Sequence, residues 1–260
     1  LPIDRVFVVE GRGTVVTGTL HGGPVRADDI LVLAPNGLTL TVRAIQVRGQ
    51  DALEANPGER TALNLRGISS NQIKAGDMLH APGAFVPSAQ CDVLINLSSR
   101  ASRPVKHMQQ VRVLHGTANV VASLRLFEGR QLTPGASAFA RLRFPTVITS
   151  FAGQRAVIRS LSPAETIGGA VIIDPEPAGN SANKKRRLET LQASERGDIP
   201  GIAAALACEN LGVARIADIS RLARIPADKV GRELAAAFGE VTHAAVSPSS
   251  TIEGIRKSYI

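Results

Sequence analysis

Aromatic side chains are nearly missing from this chain: seven Phe, one Tyr and no Trp among 260 residues. Holding single strands by stacking bases on aromatic rings needs more than that. Only two cysteines occur, Cys91 and Cys208, too few for a disulfide framework or a four-ligand structural zinc site. No apolar run approaches the ~20 residues of a membrane helix. No charged start followed by an apolar block marks a secretory signal. The expectation is a soluble protein of a reducing, cytoplasmic compartment with no membrane partner. A Gly-x-x-x-x-Gly-Lys-Ser/Thr phosphate loop is absent as well, so this stretch alone should not hydrolyse nucleotides by that device.

What is present can build real cores. The apolar fraction is 44%, and the length favours two or three domains. The formal charge is +8, which suggests a polyanionic partner. That charge is uneven. Residues 1–87 carry eight basic and eight acidic side chains, residues 88–178 ten and five, and residues 179–260 twelve and nine. Between Val93 and Phe127 no acid occurs, while Arg100, Arg103, Lys106, Arg112 and Arg125 do. A second focus is Lys184-Lys185-Arg186-Arg187. As a solvated linker this tetrad needs no partner; as a phosphate contact it would weaken binding as salt rises.

Residues 1–86 read as short strands between turns. Val6–Val9, Thr14–Thr17, Ile30–Leu33, Leu38–Val42 and Ala62–Leu65 are apolar or β-branched, and Gly11, Gly13, Gly22-Gly23, Asn36-Gly37 and Pro57-Gly58 punctuate them. This is the pattern of a β-barrel or sandwich. Residues 87–178 repeat it, with strands expected at Cys91–Leu97, Gln110–His115, Ala118–Phe127, Ala138–Phe144, Ala156–Leu161 and Ala170–Ile173. A basic linker is expected at 179–187. From 188 to 260 the periodicity turns helical. Asp198 and Pro200 open a helix over Ile202–Leu211. Others are expected at Ile216–Ile225 and Ala227–Phe238, followed by a strand at Glu240–Val246 and a capped helix after Ser247. Three short helices and a strand outline a winged helix. The fold class is thus mainly β with α: two consecutive barrels and a helical unit.

Catalytic constellations are not visible. Gly11-Arg12-Gly13 begins like a dinucleotide fingerprint, but no helix follows, so it reads as a turn. The five histidines have no metal spacing, and Asp28-Asp29 reads as a turn. No cluster of acid, base and nucleophile points to an enzyme.

Leu1-Pro2-Ile3-Asp4-Arg5-Val6-Phe7 with Gly11-Arg12-Gly13-Thr14-Val15-Val16-Thr17-Gly18-Thr19 resembles the start of the second domain of translational GTPases of the elongation factor Tu type. Arg103-Pro104-Val105-Lys106-His107-Met108-Gln109-Gln110-Val111, Leu114-His115-Gly116-Thr117-Ala118 and Ser162–Pro175 are similar to the third domain of the bacterial selenocysteine-specific elongation factors (SelB). The likeness covers residues 1 to about 190 well and the helical end more loosely.

The resemblance implies two translation-factor barrels, of the domain 2 and domain 3 types, ahead of the first of several winged helices. A GTPase domain would precede them, making this chain an interior part without the GTPase, and not itself an enzyme. GTP and Mg would belong to the full-length factor, with no cofactor in this part. The implied partners are selenocysteinyl-tRNA and the ribosome, with a messenger hairpin held only by later winged helices. In the family a pocket of cations holds the selenolate and rejects the neutral seryl group. Asp4 and Arg5 match its Asp-Arg pair and Arg60 its later arginine. Adjacent strand residues point to opposite faces, so Asp4 and Arg5 share a pocket only at a strand end or bulge. Arg103, Lys106, Arg112 and the tetrad Lys184, Lys185, Arg186 and Arg187 are the candidate RNA contacts. Two other readings stay open: a winged-helix DNA-binding regulator, and another elongation factor Tu-like translation factor.

Overall fold

The computed structural model describes residues 1–177, 183–210 and 213–238. The first unit is a sheet of short strands: β1 (Arg5–Val9), β2 (Gly13–Thr19), β3 (Val25–Arg26), β4 (Ile30–Ala34), β5 (Leu38–Val47), β6 (Gln50–Ala52), β7 (Glu54–Ala55), β8 (Arg60–Arg66) and β9 (Met78–His80). They run in the order β1-β2-β8-β5-β4-β9, with β6 on β5 and a separate β3-β7 pair. Period-two alternation sends Val16, Leu40, Val42, Ile45, Leu63 and Leu65 inward to one core with Ile3 and Leu33. Each such side chain contributes about 1.5–3 kcal/mol by leaving water. Residues 1–3 join the two sheet edges. Pro2 bridges to Met78, the Ile3 amide donates to the Asp77 carbonyl, and the Leu79 amide donates to the Leu1 carbonyl, both at 2.9 Å. The chain then turns into β1, which pairs with β2. Gly11 and Gly13, both at positive φ, make the β1–β2 turn expected from the sequence.

The second unit comprises β10 (Ser88–Leu97), β11 (Val105–Lys106), β12 (Gln109–His115), β13 (Ala118–Leu126), β14 (Gln131–Leu132), β15 (Ser137–Ile148), β16 (Arg155–Arg159) and β17 (Thr166–Asp174). Six of these close a barrel in the order β10-β15-β13-β12-β16-β17, and β11 pairs with β14 at its rim. Val93, Ile95, Val111, Val113, Leu124, Leu142, Ile158 and Ile172 fill the interior. The outward positions alternate with these, and most of the unit's arginines lie there. Between the barrels, Phe85 sits against His80 and Phe151, with ring centroids 5.3 and 5.9 Å apart.

The third unit has helices α1 (Lys184–Arg196), α2 (Ile199–Glu209), α3 (Ile216–Ala223) and α4 (Ala227–Phe238). Asp198 caps α2 by accepting from the Gly201 amide, with proline in the first turn, as its sequence indicates. Ile202, Leu206, Ile219, Leu222, Val230 and Leu234 form the core. One expectation is corrected. The tetrad expected in a linker over 179–187 is the first turn of α1, where the Asn183 side chain accepts from the Lys185 and Arg186 amides. An asparagine cap at the start of a run of helix-forming residues outweighs the charge repulsion that suggested a linker. The strand expected at Glu240–Val246 and the helix after Ser247 lie outside the described residues.

Candidate functional site

In the first barrel the structure brings together two of the three expected pocket residues as a direct pair. Asp4 lies just ahead of β1, at the strand end that the alternation argument required. Its backbone amide donates to the Thr17 carbonyl at 2.8 Å. Arg60 opens β8 opposite Thr19. Its guanidinium grips Asp4 with two nitrogens, Nη1 to Oδ2 at 2.6 Å and Nη2 to Oδ1 at 3.2 Å. The Thr17 hydroxyl also donates to Asp4 Oδ1 at 2.6 Å. Arg5 is exposed and lies directly across from Thr17 on the same outer face.

Partial burial raises the Asp4 carboxyl, but hydrogen bonds from Thr17 and Arg60, with the charges of Arg60 and Arg5, outweigh it and hold it below the usual carboxylate range. Asp4 thus stays ionised and holds the Arg60 fork in one orientation. The Arg60 side chain remains 56% exposed. Two cations and one anion leave a net positive spot with donors open to solvent. Such a spot can take a compact anion. Thr17 was not singled out from the sequence, although it lies inside the quoted Gly11–Thr19 motif.

The second barrel presents a different surface. Arg112 on β12 stands directly opposite Arg159 on β16, and Arg125 on β13 directly opposite Arg141 on β15. Like charges directly opposite on paired strands destabilise a sheet. Arg141 is compensated by Asp92, at 2.6 and 2.9 Å, and its guanidinium lies 5.8 Å from the centre of the Phe127 ring. Arg112 donates to Asn119 at 2.9 Å and Arg159 to the Ala164 carbonyl at 3.1 Å, neutral acceptors both. Beside this wall opens a groove of about 580 Å³, lined by Arg103, Lys106, His107, Ser160 and Glu165 among others. Arg103 and Lys106 therefore share one site, and Arg112 neighbours it through Arg159 and Ser160. Arg125 belongs to the acid-free basic stretch without being one of the candidate RNA contacts, and Arg159 is in neither set, because only strand register shows what they face.

The basic tetrad is divided. Lys184, Lys185 and Arg186 are exposed on α1, and Arg186 donates to the Cys208 carbonyl at 2.7 Å. Arg187 is turned inward, its side chain 4% exposed, and it bonds Asp92 at 2.8 Å and Asp174 at 2.5 Å. As an RNA contact Arg187 is therefore corrected: its donors are spent on buried carboxylates. The exposed face of α4 offers Asp228 and Glu233 beside Lys229 and Arg232, a balanced set without a net field toward phosphate.

Residues 92–179 match the family model described as the beta-barrel domain of the selenocysteine-specific elongation factor. The chain is 38% identical over 175 residues to the selenocysteine-specific elongation factor of Desulfomicrobium baculatum, which covers 67% of this chain and 28% of that protein. It is 30% identical over 221 residues to the Escherichia coli (strain K12) factor of the same name, covering 85% of this chain and 34% of that one. The chain belongs to the selenocysteine-specific elongation factors. It spans about a third of the length of these relatives. The crystal structure of a bacterial selenocysteine-specific elongation factor shares the fold, with a TM-score of 0.65 and 23% identity over 85% of this chain and 34% of that one. Among the described residues no group of three or more His, Cys, Asp or Glu could hold a metal ion, and the sequence has no phosphate loop.

Proposed function

We propose that this segment of a selenocysteine-specific elongation factor holds selenocysteinyl-tRNA for GTP-dependent delivery to the ribosome at recoded UGA codons. The first barrel would take the aminoacyl group and the second the acceptor arm. A selenol is a far stronger acid than a thiol, so the aminoacyl side chain arrives as an anion at neutral pH. The Asp4–Arg60 pair, with Arg5 and Thr17 beside it, is the observation that carries this reading. It supplies a preset guanidinium with open donors on a surface whose unit has no net charge. A seryl group is neutral and would leave that cation without a counter-charge. On the second barrel, Arg103, Lys106, Arg112, Arg125 and Arg159 suit a duplex RNA, which is recognised largely through its backbone and shape. Lys184, Lys185 and Arg186 would extend this surface.

Arg60→Ala in the full-length factor is expected to abolish the preference for selenocysteinyl- over seryl-tRNA while leaving binding of the tRNA body. Discrimination that survives this change would overturn the pocket assignment.

A further inference from the structure

Asp92 on β10 and Asp174 on β17 face each other directly across the wall of the second barrel. Both side chains are 0% exposed. Two ionised carboxylates in that position repel, and neither has water to relieve it. Arg187 of α1 reaches between them, with Nε 2.8 Å from Asp92 and Nη2 2.5 Å from Asp174. Arg141 of β15 closes on Asp92 from the barrel side at 2.6 Å. Arg221 of α3 closes on Asp174 from the helical side at 3.0 Å. The result is an alternating row, Arg141–Asp92–Arg187–Asp174–Arg221. Glu209 of α2 adds a further carboxylate 3.7 Å from Arg187. The row draws on three barrel strands and three helices.

We infer that the helical unit is a fixed extension of the second barrel, clamped through Arg187, and that the two fold and move as one body. The barrel supplies two opposed buried acids; Arg141 of β15 meets Asp92, while Asp174 is met by Arg187 and Arg221 of the helices. The missing counter-charge comes from α1, so the barrel wall is electrostatically incomplete without the helices. Planar guanidinium forks with several donors suit such bridging, and a lysine would not replace them. A buried pair is costly to assemble but far costlier to break from one side, because the abandoned charge stays buried. The joint therefore selects one orientation of the helical unit and disfavours alternatives. Arg187 and Arg221 of that unit are committed to this joint, Arg224 lies against Gly153 of the barrel, and α4 exposes a balanced face. The helical unit thus acts as a rigid spacer that sets the direction in which the chain leaves the barrel.

The test measures distances in the intact chain and uses no RNA. Spin labels are placed through Glu128→Cys on the barrel and Lys229→Cys on α4, with Cys208→Ser; Cys91 is buried and left in place. The inference expects one narrow distance distribution and one thermal transition. A broad distribution, or separate melting of barrel and helices in the otherwise unchanged chain, would overturn it. Arg187→Met should broaden the distribution and speed proteolytic cleavage within α1 on the order of a hundredfold or more. If that variant does not fold, Arg221→Gln removes only the outer, partly exposed arm. It should broaden the distribution less and raise cleavage severalfold. Unchanged distances and cleavage in both variants would show that the clamp does not hold the units together.

Discussion

Single side chains already separate structural roles from functional ones. The Cys91 thiol is buried in the barrel core, and burial pushes it far up from its ordinary value, whereas Cys208 is exposed. Thiolate is the reactive form, so native protein at pH 8 should consume one equivalent of an alkylating agent and denatured protein two, counted by mass spectrometry. His115 points inward at the end of β12, and neither ring nitrogen has a hydrogen-bond partner among the described residues. Burial lowers its pKa below the usual value of about 6.5. The unfolded chain therefore takes up the proton first. Stability present above about pH 6.5 is lost as pH falls through that value. His115→Leu should flatten this slope between pH 7.5 and 5.5 in denaturant titrations; an unchanged slope would assign it elsewhere. The Asp4–Arg60 pair behaves oppositely in scale. Being more than half exposed on its arginine side, it adds only about 0.2–1 kcal/mol to stability. Asp4→Asn should leave the melting temperature nearly unchanged while loosening the Arg60 fork.

At the scale of elements, much was legible. β-Branched runs and glycine turns gave both barrels, because strand period and turn chemistry are local properties. Asp198 with Pro200 announced α2 for the same reason. Asp198→Ala should destabilise the helical unit by about 1 kcal/mol, measured by denaturant unfolding. What escaped depended on register and on distant partners. Nothing near Arg187 in the sequence says that Asp92, 95 residues away, awaits it. Nor does any local pattern pair Arg112 with Arg159. The closing contact is equally non-local: residues 1–3 pair with Asp77, Met78 and Leu79, more than 70 positions away. Within the second barrel, Gly168 opposes Leu97, and a Cβ there would stand 2.3 Å from the Asn96 carbonyl oxygen. Gly168→Ala should push β17 off β10 and cost about 1–3 kcal/mol by overpacking. A variant as stable as the parent would mean that the two strands can part freely.

Across the whole molecule, the +8 charge lies in the second barrel and the residues after it, none of it in the first barrel. The first barrel is neutral overall. The second sets Arg112 against Arg159 on adjoining strands, and among the described residues the acceptors bonded to them, Asn119 and the Ala164 carbonyl, are neutral. A sheet selected for stability alone would place an acid or a neutral residue at one of those positions. Stability and binding should therefore respond in opposite directions. Arg159→Gln removes the repulsion, so the RNA-free protein should be unchanged or up to about 1 kcal/mol more stable. The same change should weaken binding of charged tRNA about equally for every tRNA sequence and lower the slope of log affinity against log salt by roughly one. An arginine with a purely structural role would show the reverse: lower stability and an unaltered salt slope. Measuring both on one variant, by thermal unfolding and by filter binding at several salt concentrations, decides whether this wall is a phosphate track or part of the scaffold.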